Sequence, residues 1–166
     1  MANAKPVALV TGASSGIGKA AALALVQAGF DVVGTSRNTS RVTTEPGVTF
    51  LNLDVTSHES VSTLVRDVIE QFGRIDILVN NAGTTAAGAA EESSLAQDQR
   101  VFDINFFGVI RMTNGVLSHM RAQLNGRIIN ISSVLGLVPA PYVHGELCRD
   151  QTRDRGVLRV YGSRGP

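Results

Sequence analysis

The nine residues Val10–Gly18, "VTGASSGIG", decide the fold because they set three glycines between an apolar run and a helical pattern. Before them, Val7–Val10 ("VALV") is continuously apolar, as is typical of a strand buried on both faces. After them, Ile17–Ala28 is rich in alanine and leucine, and Gly29 follows as a natural helix end. The stretch therefore predicts a tight turn that leads from a buried strand directly into a helix.

A strand that enters a helix through glycines forms a candidate binding site for phosphate. Backbone N–H groups at the helix N-terminus carry partial positive charge, which favours an anion such as a pyrophosphate. Gly12 permits the sharp turn, and Gly16 and Gly18 allow close approach of the ligand and of the helix to the strand. A loop that only requires tight turns is the alternative for a lone glycine motif. The strand before the motif and the helix after it favour a dinucleotide site.

The same alternation of strand and helix continues along the chain. Apolar runs predict further strands at Asp31–Arg37, Val48–Val55, Ile75–Asn80 and Gly126–Ser133. Between them, Ser57 can cap a helix that ends at Gly73. A third helix is predicted over Leu95–Met120, although Gly108 and Gly115 weaken the case for a continuous helix. This order predicts an α/β, Rossmann-like, doubly wound parallel sheet with helices on both faces.

The regular pattern stops near residue 142. We expect a dinucleotide-binding domain over 1–142, with its sheet truncated after about the fifth strand, and an irregular tail over 143–166. A fifth strand without a neighbour would expose an apolar edge. Marginal stability and aggregation are therefore expected unless another segment covers that edge.

Composition and charge exclude several classes of partner. The 166 residues suit one globular domain, and a formal net charge of +1 gives no electrostatic reason to expect nucleic acid or an anionic membrane. Cys148 is the only cysteine and the three histidines are isolated in sequence, so neither an internal disulfide nor a metal site is expected. "MANAKP" lacks the apolar core of a signal peptide, and no apolar run is long enough to span a membrane. A cytoplasmic protein is the expectation.

Three motifs resemble the signatures of the short-chain dehydrogenase/reductase family in order and in spacing. They are "TGASSGIG" (Thr11–Gly18), "NNAG" (Asn80–Gly83) and "NISS" (Asn130–Ser133), within residues 5–142. The resemblance implies a nicotinamide-dependent oxidoreductase that interconverts a carbonyl and a secondary alcohol on a small-molecule substrate. The second and third motifs together argue against another Rossmann enzyme such as a methyltransferase. Intact members of the family imply a homo-oligomer, but one flanking helix is missing here, so dimerisation cannot be assumed.

The resemblance also implies which residues contact the cofactor. Asp54 and Val55 would meet the adenine, although turn or helix capping is an alternative role for Asp54. Residues 81–83 would line the adenosine ribose, and Asn80 would brace neighbouring strands. The full set of implied cofactor contacts is Gly12, Ser14, Ser15, Gly16, Ile17, Gly18, Ser36, Arg37, Asp54, Val55, Asn81, Ala82 and Gly83.

Two further residues are implied to act in catalysis. Asn105 would hold a water in a proton relay, and an amide among apolar neighbours otherwise needs other partners. Ser133 would hydrogen-bond the substrate carbonyl, whereas its neighbour Ser132 could be structural. Small apolar residues at 86–90 and 134–141 could line a substrate pocket or simply pack.

The end of the second strand indicates which nicotinamide cofactor the site accepts. Users of NAD commonly place an acid there for the ribose 2′-hydroxyl, and users of NADP place a basic residue near the 2′-phosphate. Here Thr35, Ser36 and Arg37 include no acid, and a guanidinium and a hydroxyl both suit phosphate. A solvated surface arginine is the alternative, and Lys19 does not decide the matter. NADP(H) is therefore favoured over NAD(H).

The proton donor of the family's reaction is not identifiable in the sequence. A Tyr acts there as general acid and base, and a Lys four residues later lowers its pKa and holds the nicotinamide ribose. Lysine occurs only at Lys5 and Lys19, and Glu146 and Gly165 stand four residues after the two tyrosines. We therefore expect an inactive or strongly impaired oxidoreductase or, alternatively, a non-catalytic dinucleotide-binding fragment or sensor.

The tail has the character of an out-of-frame translation. Residues 143–166 carry five arginines against three acids and show neither a helical stripe nor strand alternation. When the first base of the Val143 codon is dropped and the codons are read again, four of the new codons can each encode only two residues. In all four cases, one of the two is the residue that the family has at that position. One permitted reading, "MASYAATKHAIEGYSES", contains Tyr-x-x-x-Lys and continues as a family-like helix. We hypothesise that the chain is a frameshifted, truncated reductase.

Overall fold

Strands and helices alternate along the chain in the predicted order. The computed structural model describes residues 5–85 and 93–133, together with the backbone of 157–161. The strands are β1 (Val7–Val10), β2 (Asp31–Ser36), β3 (Val48–Asn52), β4 (Ile77–Asn80), β5 (Asn125–Asn130) and β6 (Val157–Tyr161). The helices are α1 (Gly16–Gln27), α2 (His58–Phe72), α3 (Leu95–Phe102) and α4 (Gly108–Ala122), with a 3₁₀ turn at Thr39–Arg41 and a π-helical turn at Asp103–Phe107. Within the described ranges, none of the helices has the length and apolar content needed to cross a bilayer.

The described strands form one sheet in the order β3-β2-β1-β4-β5-β6. The first five strands all pair in parallel, which confirms the predicted Rossmann-like sheet. The direction in which the chain adds strands reverses between β1 and β4, since β2 and β3 lie on one side and β4 and β5 on the other. Ligands of open α/β sheets bind beyond the carboxyl ends of the strands at such a reversal.

The sixth strand corrects one part of the prediction. Its residues pair antiparallel with β5, from Asn125 opposite Tyr161 to Ile129 opposite Val157, so the irregular tail predicted over 143–166 is wrong for residues 157–161. The outer edge of β5 carries N–H and C=O groups that need partners, and a short run of valine, leucine and tyrosine readily becomes extended to supply them. β6 thereby covers the edge that was expected to be exposed. Residues 142–156 and 162–166 lie outside the described residues.

The pleat of the strands divides the apolar side chains between two cores. In β1, Val7 and Leu9 belong to one core and Ala8 and Val10 to the other, and all four are at most 1% exposed. The first core also contains buried residues of α2 and α4, and the second contains Ala22 of α1. Helices therefore cover both faces of the sheet, which explains why the strand is apolar at every position.

Helix α2 forms where the sequence has its apolar stripe. Its buried side chains are spaced for one helical face, at Val61, Leu64, Val65 and Val68. The Ser57 hydroxyl caps the N-terminus by accepting from the Ser60 N–H at 3.2 Å, and Gly73 ends the helix with a φ of +76°. Both predicted ends are confirmed.

The single helix predicted over Leu95–Met120 is wrong at its centre. The π-helical turn separates α3 from α4, and in it the Gly108 N–H donates to the carbonyl of Asp103, five residues back. A Cβ at Gly108 would lie 2.9 Å from Val55 Cγ2, so only glycine allows α4 to begin this close to Val55. The turn therefore brings α4 against the segment that follows β3.

A buried carboxylate joins three segments at the amino end of the sheet. The Asp76 side chain, 6% exposed, accepts from the Val7 N–H at 2.8 Å, from Arg74 at 2.6 and 2.7 Å and from Asn125 Nδ2 at 3.3 Å. Burial alone would raise the pKa of Asp76, but the Arg74 guanidinium and the Val7 and Asn125 donors outweigh it and lower that pKa. Asp76 is therefore a charged, multiply bonded group at neutral pH.

Loss of this carboxylate should lower stability in a pH-dependent way. Because the folded pKa lies below the unfolded value of about 3.9, Asp76 stabilises the fold above that pH, and the stabilisation is lost as the pH falls through the folded pKa. We expect Asp76→Asn to lower the free energy of unfolding near neutral pH by about 2–3 kcal/mol and to flatten its pH dependence in acid. Urea unfolding at a series of pH values measures both effects. Asp67→Asn, at an exposed ion pair with Arg66, is the control and should change stability by less than about 0.5 kcal/mol; equal losses would contradict the role of Asp76.

Candidate cofactor site

Two adjoining cavities lie where the carboxyl ends of β1 to β5 meet. The larger, about 490 Å³, includes ten of the predicted cofactor contacts. These ten are Gly12, Ser14, Ser15, Ser36, Arg37, Asp54, Val55, Asn81, Ala82 and Gly83. The smaller cavity, about 310 Å³, shares residues 81–84 with the larger and is also lined by Ile17, Asn105 and Ser132. Both volumes lie within the range of cofactor and small-molecule sites.

Two side chains hold the glycine turn against the segment after β4. The buried Thr11 hydroxyl accepts from the N–H groups of Asn81 and Ala82, both at 2.9 Å, and donates to the Val79 carbonyl at 3.3 Å. In return, Asn81 Nδ2 donates to the carbonyls of Thr11 and Gly12 at 3.0 and 3.1 Å. Besides its place on the cavity wall, Asn81 therefore fixes the turn itself.

The three glycines of the turn meet different requirements. Gly12 and Gly16 have φ values of +66° and +56°, in the left-handed region that favours glycine. A Cβ at Gly12 would lie 3.0 Å from Ala82 Cα, whereas one at Gly16 would meet no described atom within 4 Å. A Cβ at Gly18 would overlap Asn81 Nδ2 and the Gly12 carbonyl. Gly18 therefore serves packing, and Gly16 leaves a space that a phosphate can approach.

The N-terminus of α1 is not capped by a side chain. Ser15, the residue before the helix, is extended, and its hydroxyl makes no capping hydrogen bond. Ser57 and Ser94, by contrast, cap α2 and α3 with their hydroxyls. The first turn of α1 also contains no acidic side chain. Because Ser14 and Ser15 line the larger cavity, the uncapped N–H groups and the positive end of the helix dipole fit a pyrophosphate there.

The end of β2 presents a cation to the larger cavity. Arg37 is exposed, and among the described residues its guanidinium makes no hydrogen bond or ion pair. Within the described part of the chain, the Ser36 hydroxyl beside it makes only long contacts, of 3.4 and 3.5 Å, with the Asn38 backbone. Lys19 is held instead by Glu45 at 2.6 Å. Of the two candidate cations, Arg37 is therefore the one available to a phosphate.

Asp54 has the turn-capping role that was its alternative, and it also lines the larger cavity. Its Oδ1 accepts from the Thr56 N–H at 2.9 Å and from the Thr56 hydroxyl at 2.7 Å. These two bonds, with smaller contributions from the charges of Arg37 and Arg111, lower the pKa of Asp54 against the opposing effect of partial burial. The carboxylate is therefore ionised at neutral pH and remains on the wall predicted to face the adenine.

Two asparagines connect the smaller cavity to the rest of the fold. Asn105, in the π-helical turn, pairs with the Thr84 backbone: its Oδ1 accepts from the N–H at 2.8 Å and its Nδ2 donates to the carbonyl at 2.9 Å. Its role in holding a water stays a prediction. Asn80 donates to Asn130 Oδ1 at 2.9 Å and to the Thr113 hydroxyl at 3.4 Å. Asn80 therefore joins β4 to β5 and α4, as expected of a brace.

The two candidate serines are neighbours in the segment after β5. Among the described residues, Ser132 lines the smaller cavity, whereas the half-buried Ser133 does not. The assignment of Ser133 to the substrate carbonyl stays a prediction. The segments that could line a substrate pocket, 86–90 and 134–141, lie outside the described residues.

Three residues that position the site have no role predicted from the sequence, namely Thr11, Thr35 and Arg111. Thr35 ties the turn to β2, because its hydroxyl accepts from the Gly12 N–H at 3.3 Å and its carbonyl accepts from the Ala13 N–H at 2.9 Å. The sequence could have indicated both threonines: each stands at the end of an apolar strand, where a buried hydroxyl requires hydrogen-bond partners. Arg111 has no comparable local signal, because it donates to the Val55 carbonyl across 56 residues.

Comparison with known proteins identifies the family. Residues 6–144 match the family model described as short chain dehydrogenase. The chain therefore belongs to the short-chain dehydrogenase/reductase family of oxidoreductases. It is 43% identical over 136 residues to the 3-ketodihydrosphingosine reductase of Bacteroides thetaiotaomicron, and 40% identical over 144 residues to the 3-oxoacyl-(acyl-carrier-protein) reductase of Synechocystis.

Two solved structures share the fold. A short-chain dehydrogenase from Streptomyces avermitilis matches with a TM-score of 0.81 at 37% identity, over 89% of this chain and 56% of that one. ElxO with NADP bound matches with a TM-score of 0.75 at 34% identity, over 83% of this chain and 59% of that one. The chain spans about half the length of the curated relatives that it matches: 82% of it aligns with 50% of the Bacteroides reductase, and 81% with 58% of the Synechocystis reductase.

Proposed function

We propose that the protein binds NADP(H) in the two adjoining cavities and acts as a reductase that interconverts a carbonyl and a secondary alcohol. One observation carries the proposal: an uncapped helix N-terminus at a glycine turn and the Arg37 guanidinium line the same cavity. This pair suits the pyrophosphate, which NAD(H) and NADP(H) share, and the 2′-phosphate, which only NADP(H) carries. Two relatives are reductases by name, and ElxO binds NADP; both observations support the proposal.

The residues of the larger cavity would hold the adenosine half of the cofactor. Residues 12–18 would bind the pyrophosphate through backbone N–H groups, and Asp54 and Val55 would face the adenine. When bound, NADPH supplies a hydride for transfer to a carbonyl carbon. Ser133 would donate a hydrogen bond to the carbonyl oxygen, and Asn105 would order a water beside the smaller cavity.

Nucleotide binding without turnover is the second candidate function. The 166 residues contain no Tyr-x-x-x-Lys pair, so no lysine-activated phenol is available to protonate a developing alkoxide. The same cavities and the same residues would then bind the dinucleotide as a fragment or sensor. The two candidates share the binding site and differ only in the turnover of a carbonyl substrate.

Arg37→Ala is expected to weaken NADPH binding by about 10–100-fold while leaving NADH binding within about twofold of wild type. The reason is that charge-assisted hydrogen bonds to a phosphate contribute about 1.5–3 kcal/mol, and NADH lacks the 2′-phosphate. Titration calorimetry of each nucleotide at one fixed, low salt concentration measures the difference.

Arg66→Ala is the matched control for this titration. It removes a guanidinium from the exposed side of α2, where Arg66 lies beside Asp67 and Glu70, and it should leave both affinities unchanged. If wild-type protein binds neither nucleotide, the proposed function is wrong. If Arg37→Ala weakens NADH and NADPH equally, the preference for NADP(H) is wrong.

A further inference from the structure

A single arginine of α4 contacts two separate parts of the cofactor cleft. Arg111, whose side chain is 17% exposed, donates from Nη1 to the Val55 carbonyl at 3.3 Å and to the Asp103 carbonyl at 3.2 Å. Its Nη2 donates to Asp103 Oδ1 at 2.6 Å. One guanidinium thus joins the segment after β3 to the first residue of the π-helical turn.

Both contacted segments form walls of the two cavities. Val55 and Asp103 line the larger cavity. Two residues beyond Asp103, Asn105 is bonded to the backbone of Thr84, which lines both cavities. A shift of the Arg111 guanidinium would therefore displace the wall predicted to face the adenine together with the turn that carries Asn105.

The local geometry makes this contact specific to an arginine. Gly108 allows α4 to begin against Val55, which places Arg111, about one turn later, within reach of the Val55 carbonyl. The Asp103 carbonyl accepts from both the Gly108 N–H and Arg111, so the guanidinium helps to satisfy the widened turn. A planar guanidinium donates in several fixed directions at once, which a lysine ammonium on a flexible stem does not reproduce.

We propose that Arg111 is a positioning residue for nucleotide binding, which holds Val55 and the π-helical turn at the spacing that the adenosine half of the cofactor requires. The inference rests on the proposed function, because it assigns the larger cavity to the nucleotide. Arg111 contacts the wall that NADH and NADPH would share, whereas Arg37 is placed for the 2′-phosphate that only NADPH carries. The two arginines therefore predict different patterns of loss.

Arg111→Met is expected to weaken NADPH and NADH by the same factor, about tenfold. Arg111→Lys retains the charge without the planar fork and should recover only part of the loss. Titration calorimetry with both nucleotides measures the affinities, and the melting temperature of each unliganded variant is recorded beside them. Arg66→Met, on the exposed side of α2, is the control and should bind both nucleotides as wild type does.

A second variant keeps the test decisive if Arg111→Met does not fold. Asp103→Asn removes the charged partner at 2.6 Å and leaves both carbonyl contacts, and it should weaken both nucleotides by about threefold. Folded variants with a lower melting temperature and unchanged affinities would show a merely structural role and overturn the inference. Weaker binding of NADPH with unchanged binding of NADH would also overturn it, because that result would mean that the Arg111 charge acts on the 2′-phosphate. Failure of wild-type protein to bind either nucleotide is a separate result, which overturns the proposed function and this inference with it.

Discussion

Gly18→Ala is expected to lower the free energy of unfolding by about 3 kcal/mol or more. The added Cβ would overlap the Asn81 side-chain nitrogen and the Gly12 carbonyl oxygen, and the second of these is backbone, which cannot rotate away as a flexible side chain can. Relief requires α1 to move away from the turn, or the Gly12 carbonyl to shift while Asn81 Nδ2 leaves the carbonyls of Thr11 and Gly12. Either movement also opens the predicted pyrophosphate site, so nucleotide affinity should fall together with stability.

Gly115→Ala is the matched control, because Gly115 is also a helical glycine. Its added Cβ would meet Val61 Cγ1 at 3.1 Å, a methyl group that can shift, and alanine favours the helix by about 1 kcal/mol over glycine. We expect a net change within about 1 kcal/mol for this variant. Urea unfolding of both proteins, with their m-values compared, makes the measurement. Similar losses in the two variants would contradict the packing role assigned to Gly18.

The sheet and its two helical layers could be predicted because the buried strands are apolar at successive positions. The side chains of Val7 to Val10 alternate between two cores. Because helices cover both faces of this strand, each of its positions is apolar. The predicted ends of the strands are less accurate, because buried apolar residues continue past the last residue of the strand. Leu53 and Val55 are 4% and 8% exposed although β3 ends at Asn52, which explains why the apolar run predicts a strand to Val55.

The interruption between α3 and α4 depends on a contact that the local sequence does not contain. Gly108 signals a weak point in the helix, but the turn before it accommodates Val55, which is far away in the chain. The pairing of β6 has a similar origin. Edge groups of β5 are satisfied by any extended segment of adequate length, so no pattern within the tail specifies the pairing.

The cofactor residues could be gathered from sequence for a topological reason, whereas the bonds that hold them could not. Parallel strands deliver their carboxyl ends to one edge, so the segments after β1 to β4 must meet. Their exact placement depends on Thr11, Thr35 and Arg111, whose partners lie on other strands or loops. Sequence motifs therefore identify the residues that face a ligand more readily than the residues that hold the ligand-facing residues in place.

The largest effect is expected in turnover. We expect the 166-residue chain to reduce carbonyl compounds at least about 10³-fold more slowly than the product of the same gene read in the shifted frame after residue 142. General acid catalysis contributes about 10²–10⁴-fold, and a phenol without its neighbouring lysine stays protonated and poorly placed to exchange its proton. Consumption of NADPH with a panel of ketones and 3-oxoacyl thioesters measures both rates.

Two controls separate a missing proton donor from a missing nucleotide site. Both proteins should bind NADPH, because the described cavity is formed by residues before 142. Ser133→Ala should slow the shifted-frame product by about 10²-fold or more, because the Ser133 hydroxyl is assigned to hydrogen-bond the carbonyl oxygen as negative charge develops on it. Sequencing the coding DNA over codons 140–166 tests the premise: without Tyr-x-x-x-Lys in the shifted frame, the frameshift hypothesis is wrong. A rate of about 1 s⁻¹ or faster from the 166-residue chain would show that another group supplies the proton.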